Sequence, residues 1–221
     1  MLAVYTIAFG VILQARWGFS GSTIEYALML FAGLIVFNAF SEVLIKSPTR
    51  ITDNPNFVKK IVFPLELLPV VTVVTALVHA LIGIGIWVLG YLFLIGMPKS
   101  TLLVFPLVLG CFLPLLLGLG WLLSSVGVLV KDINQLTGML SHTLLFLSPI
   151  FYSIEAAPPI LQTTLMLNPL TFIIEQLRLV LFYGQTPSLR SLVLYFVLAS
   201  VFALVSYIVF KRLRASFADM V

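Results

Sequence analysis

The chain has 221 residues, 61% of them hydrophobic and only 9% charged, with a mean hydropathy of +1.18 and a formal charge of +4. Soluble domains carry about 25% charged residues; a chain this poor in charge cannot cover a water-facing surface, so soluble enzymes and soluble binding modules are excluded. In an integral membrane protein the surplus of Lys and Arg anchors loops, so the basic balance argues for membrane lipid and against a nucleic-acid partner.

A helix needs about 20 mostly apolar residues to cross the hydrocarbon core. The first segment, residues 1–13, is apolar but covers roughly 20 Å of helix, short of the roughly 30 Å core. It lacks the basic start and small-residue cleavage site of a signal peptide, and it lacks the charged face of an interfacial helix. The expectation is the second half of a span. Further spans are expected at about 26–45, 67–95, 101–130, 133–153 and 191–210, the last closed by "KRLR".

Between the second and third spans lies a polar loop, residues 46–64. It holds four basic residues between Lys46 and Lys60 against one acid, Asp53. Asp53 and Asn54 before Pro55 resemble a helix start, which predicts a short helix with Phe57 and Ile61 on one side.

The stretch 156–185 is long enough to cross, but Pro158-Pro159 and Asn168-Pro169 interrupt it and Glu175 and Arg178 sit in its second half. Proline removes a backbone donor and disfavours helix at the preceding residue, so a re-entrant pair of short helices is expected. Charge agrees: with this segment re-entrant, eight Lys and Arg share the side of the 46–60 loop, Lys131 and the tail, against four opposite. Basic residues favour the cytoplasm. The fold class read here is an all-α polytopic membrane protein of six spans, both termini cytoplasmic, with the re-entrant pair outside between spans five and six.

The sequence has no phosphate loop of the G-x-x-x-x-G-K-[ST] type, no G-x-S-x-G elbow and no metal-spaced His/Cys cluster. Lone Cys111 lies in an apolar run as a small buried hydrophobe. No charged residue occupies the middle of a span, which argues against an ion-coupled transporter. His79 and His142 are expected as neutral, hydrogen-bonded packing residues. A conduit without its own energy source must take energy from a partner, and the cytoplasmic surfaces that can meet one are the 46–60 loop, the Lys131–Gln135 turn and the tail. A solvated anchor is the equal alternative for the loop.

Four blocks, "NPNFVKKIVFPLELLPV", "GLGWLLSSVGVLVKDINQ", "FLSPIFYS" and "LNPLTFIIEQLRLVLFYG", stand in the order and spacing of the membrane subunits of type-2 ATP-binding-cassette polysaccharide exporters. The chain resembles that family over essentially its whole length. Members export O-antigen, capsular polysaccharide and teichoic acid across the bacterial cytoplasmic (inner) membrane. The resemblance implies a homodimer paired with two copies of a separate nucleotide-binding ATPase, which binds ATP and Mg; this chain binds no cofactor or metal and has no catalytic residue.

By the resemblance, Asn54, Pro55, Asn56, Phe57, Val58, Lys59 and Lys60 form the helix that docks on the ATPase; Lys131 and Asp132 are expected either beside the ATPase or as a cap on their own turn. The region of Asn168 and Pro169 matches the outer gate helices. Phe146, Phe151 and Tyr152 bracket Pro149 near the outer end of span five and are expected to line the exit for a lipid-linked polysaccharide, Pro149 loosening the helix. Lipid-facing aromatics are the alternative for each ring. Glu175 and Arg178 are three apart and spaced to pair on the gate helix; a surface ion pair contributing little is equally open. Family members begin with a cytoplasmic amphipathic helix and a full first span, whereas "MLAVYTIAFG" resembles the second half of that span. The competing expectations are an exporter of small hydrophobic molecules or lipo-oligosaccharides, a truncated non-transporting subunit, and, from another class, an intramembrane protease.

Overall fold

The computed structural model describes residues 23–58, 63–130, 132–154 and 158–220. The described residues form helices and turns, with no strand among them. The expected segment 1–13 and residues Lys59, Lys60 and Lys131 lie outside the described residues.

In chain order the helices are α1 (Thr23–Lys46), α2 (Pro55–Val58), α3 (Leu67–Leu94), α4 (Phe105–Leu129), α5 (Ile133–Leu147), α6 (Pro159–Leu167), α7 (Pro169–Arg178) and α8 (Leu189–Met220). A 3-10 turn, Ser100–Val104, leads into α4, and a π turn, Leu179–Tyr183, follows α7. Among the described residues, four segments are long and apolar enough to cross a bilayer: Thr23–Lys46, Leu67–Leu94, Ser100–Leu129 and Leu189–Phe217. Their exposure has a lipid signature. Val193, Leu194, Leu198 and Leu204 on α8 are each 59–62% exposed, a surface that water penalises and hydrocarbon does not.

The stretch expected to cross at 133–153 is helical only to Leu147. Its 15 residues rise roughly 22 Å, against a core of about 30 Å. Pro149 accounts for the stop, because its ring drives Ser148 out of the helical region. Pro149 therefore ends α5 and does not loosen a continuing helix. The 156–185 stretch divides at Asn168–Pro169 into helices of 9 and 10 residues; neither has the length of a crossing. At the other end of the chain α8 runs past residue 210 to Met220.

The chain divides into two compact units. The first takes the described parts of Met1–Asn38, Ala80–Val108 and Thr143–Pro187. In it the indole of Trp87 is wholly buried and donates to Leu28 O at 2.9 Å. Tyr91 stacks on that indole with centroids 5.0 Å apart.

The second takes Ala39–His79, Leu109–His142 and Ser188–Val221. Its core gathers Ile51, Val58, Leu65, Leu68, Val128, Phe210 and Phe217. The two phenylalanines meet edge to face at 5.5 Å, each contributing about 2 kcal/mol by burial. Backbone turns between α1 and α3 are pinned by side chains: Ser124 Oγ donates to Ser47 O at 2.9 Å and Trp121 Nε1 to Glu66 O at 3.1 Å. Gly127 is required here, since a Cβ on it would overlap the Pro48 carbonyl. The loop between α1 and α2 is thereby seated directly on α4.

Candidate functional site

The first cluster is the short helix α2, within the second unit. A ladder of turns builds it: Asp53 N donates to Thr49 O at 2.8 Å, Asn54 N to Ile51 O at 3.1 Å, and Phe57 N to Asn54 O at 3.1 Å. The Asn54 amide reaches back to Arg50 O at 2.8 Å, so it closes the turn before α2. Pro55 starts the helix with φ already set. Val58 turns into the core, while Asn56 is exposed and Phe57 is 36% exposed. The Phe57 ring also lies against Phe63, centroids 4.5 Å apart. The platform thus presents Asn56 and one face of Phe57, held from beneath by Val58 and from the side by Phe63. Asp132 is exposed and its carbonyl accepts from Gln135 N at 3.1 Å, opening α5.

The second cluster lies in the first unit and centres on Arg178, whose side chain is 0% exposed. Its Nε donates to Met29 O at 3.2 Å, Nη2 to Ile150 O at 2.9 Å and Nη1 to Pro149 O at 2.6 Å. Nη1 also meets Glu175 Oε1 at 2.9 Å. One guanidinium therefore ties α7 to α1 and to the turn after α5. Burial pulls its pKa below the ordinary value, and the Glu175 carboxylate opposes that shift. The expected Glu175–Arg178 pair is present on α7, but it is not a surface ion pair: the cation is buried, and besides the carboxylate it donates to the backbone carbonyls of Met29, Pro149 and Ile150. Gly33 makes room for it, since a Cβ there would stand 2.8 Å from Nη2.

Asn168 and Pro169 work at the other end of α7. Asn168 Oδ1 accepts from Leu170 N at 2.9 Å, capping the helix, and Pro169 takes the first helical position. The Asn168 amide donates to Ser148 Oγ at 3.1 Å. Asn168→Ala is expected to cost about 1 kcal/mol through the lost cap, measurable as a lowered thermal midpoint; Asn168→Asp, which keeps the capping oxygen, should recover most of it.

Of the three rings expected at the exit, Phe146 is exposed, Tyr152 is half-buried and Phe151 is buried at 2% exposure. Phe151 packs on Phe146 at 5.8 Å, and its carbonyl accepts from Tyr26 Oη at 3.0 Å. Tyr152 Oη donates to Phe146 O at 3.1 Å. Phe151 thus holds the turn together, and Phe146, backed by it on one side, is the most exposed of the three rings. His79 has a partner the sequence did not reveal: its Nδ1 lies 2.8 Å from Glu42 Oε2, while Lys46 Nζ lies 2.6 Å from Glu42 Oε1. His142 is exposed on α5.

Sequence reasoning missed Tyr26, Met29, Gly33 and Ser148. They contribute a hydroxyl, a backbone carbonyl, an empty space and a small acceptor, none of which stands out in an apolar run.

Crossing-length helices whose apolar faces are exposed define an integral membrane protein. Residues 1–182 match the model of the ABC-2 type transporter family, and the chain belongs to that family. It is similar to an O-antigen export system permease protein RfbA of Myxococcus xanthus, 21% identical over 100% of this chain and 83% of the relative. Two Klebsiella pneumoniae proteins of the same description are 22% and 24% identical, each over 89% of this chain and 76% of the relative.

Proposed function

We propose that the chain is the channel-forming subunit of an ATP-driven exporter that moves lipid-linked polysaccharide, of the O-antigen or capsule kind, across the bacterial cytoplasmic membrane. The observation that carries this reading is the similarity to O-antigen export permeases along the whole chain. In this reading the subunit has six membrane segments, the first entered before residue 1 and the fifth formed by α5 with the turn after it, both termini lie in the cytoplasm, and the subunit works as a homodimer with two copies of an ATPase that holds ATP and Mg. The α2 platform, continued by Lys59 and Lys60, receives the ATPase, and Lys131 and Asp132 contribute to the same contact. The α6–α7 pair is re-entrant and forms the outer gate, and Phe146 offers an aromatic face to passing sugar rings.

ATP binding closes the two motor subunits and α2 transmits that motion. Spans one and five then separate between protomers, and the glycan passes outward beyond α7. The chain supplies no chemistry of its own; it supplies a path and a handle.

The test is transport in inverted membrane vesicles containing this chain and its ATPase. Lipid-linked glycan should become protected inside the vesicles only when ATP is hydrolysed. ATP-driven accumulation of a small hydrophobic dye, with no glycan movement, would overturn the polysaccharide reading in favour of a small-molecule exporter.

A further inference from the structure

The second unit carries a groove of about 480 Å³ between the start of α3, the Pro114–Trp121 stretch of α4 and the Ser200–Tyr207 stretch of α8. Its walls are mostly apolar, with Ser200 at one end and Glu66, Trp121 and Tyr207 at the other; the Trp121 and Tyr207 rings stand 4.9 Å apart. On α8 the lining residues Ser200, Leu204 and Tyr207 follow one helical stripe, and the same stripe continues to Lys211 and Arg214.

Lys211 Nζ lies 5.0 Å from the centre of the Tyr207 ring, which holds the ammonium at the aromatic end of the groove. Arg214 is committed to Glu66, 3.0 Å from Oε2, and to Phe63 O at 3.3 Å. Arg214 thereby neutralises the carboxylate at the lip, and among the described residues lining that end Lys211 adds a positive charge. Charged groups are expelled from hydrocarbon, and paired aromatics favour the headgroup level. The membrane boundary therefore falls between Leu204 and Lys211. The deep end at Ser200 lies roughly 10 Å further along α8 than Tyr207, within the same leaflet.

We propose that this groove is a binding site for one anionic phospholipid, an acyl chain lying between α4 and α8 and the phosphate held by Lys211. Charge selects this occupant. A single monoanionic headgroup balances Lys211, the cation that among the described residues sits against the groove's aromatic end without a carboxylate partner, whereas a zwitterionic headgroup brings a second cation toward it. None of the groove's lining residues belongs to α2 or to the Arg178 cluster, and among the described residues the lip touches the platform only through Arg214 on Phe63 O and Trp121 on the core beneath Val58; the lipid is a component of the subunit and not its cargo.

The full chain is placed in nanodiscs of mixed phosphatidylglycerol and phosphatidylcholine with matched acyl chains, and retained lipid is read by native mass spectrometry. Wild type should retain phosphatidylglycerol preferentially. Lys211→Ala should lower that preference about fivefold, the ratio corresponding to ~1 kcal/mol for a lysine near an anionic lipid, and Lys211→Arg should keep it. Leu204→Trp, placing an indole in the groove from its exposed side, should remove retained lipid of both kinds. Equal retention of the two lipids by wild type overturns the proposal as an unselective apolar groove. So does a Leu204→Trp protein, shown folded by an unchanged thermal midpoint, that holds as much phosphatidylglycerol as wild type.

Discussion

Arg178→Met should destabilise the protein by about 3–5 kcal/mol, the range for removing one member of a buried charged network. The substitution keeps the volume of the stem but leaves the carbonyls of Pro149 and Ile150 and the Glu175 carboxylate without the donors that now satisfy them. Burying unsatisfied acceptors is the costly part. Arg178→Lys should recover only a fraction, because an ammonium on a flexible stem cannot reproduce a planar fork aimed at three segments at once. Glu175→Gln should cost far less, since the Glu175 side chain is 29% exposed and the amide still accepts a hydrogen bond. Equal losses from Glu175→Gln and Arg178→Met would show that charge pairing, and not the carbonyl clamp, holds the cluster.

Gly33→Ala supplies an independent check. Its new methyl would press on Nη2 and should cost about 1–3 kcal/mol, as over-packing does. In the Arg178→Met background the same change should cost almost nothing, because the crowded atom is gone; contacting residues are expected to be non-additive in this way. Thermal unfolding of the detergent-solubilised chain measures all four variants and the double mutant.

The reach of sequence reasoning follows from what each feature depends on. Crossing helices were legible because they need only a run of apolar residues, and the break at Asn168–Pro169 was legible because proline acts on its immediate neighbours. The end of α5 was misjudged for a related reason. Hydropathy continues past Leu147 into "SPIFY", and the backbone effect of Pro149 was weighed as a loosening instead of a stop. The depth of Arg178 was not legible. A cation three residues from a carboxylate looks the same on a surface as in a core, and the carbonyls that make burial tolerable carry no sequence mark. Phe151 is hard to place for a similar reason: the phenol that fixes its backbone carbonyl lies 125 positions away, and an aromatic beside an exposed aromatic has the same local pattern whichever way it turns.

Phe57→Ala combined with Lys59→Glu and Lys60→Glu should abolish export and co-purification of the ATPase while leaving membrane insertion intact. The geometry explains why the platform can bear load. Val58 is 8% exposed in the core that includes Phe210 and Phe217, so force applied to α2 reaches the second unit's interior without passing through a flexible loop. Phe57 complicates the reading, since its ring packs on Phe63 as well as facing outward. Phe63→Ala removes that internal contact but leaves the exposed face of Phe57 in place, so it separates the two roles. Export and ATPase binding that survive Phe63→Ala but fail in the triple variant locate the contact on the outer face of α2. Loss of both in Phe63→Ala as well would assign the effect to the platform's own packing. Undiminished ATPase binding by the triple variant would remove α2 as the handle and return the loop's lysines to the role of a membrane anchor.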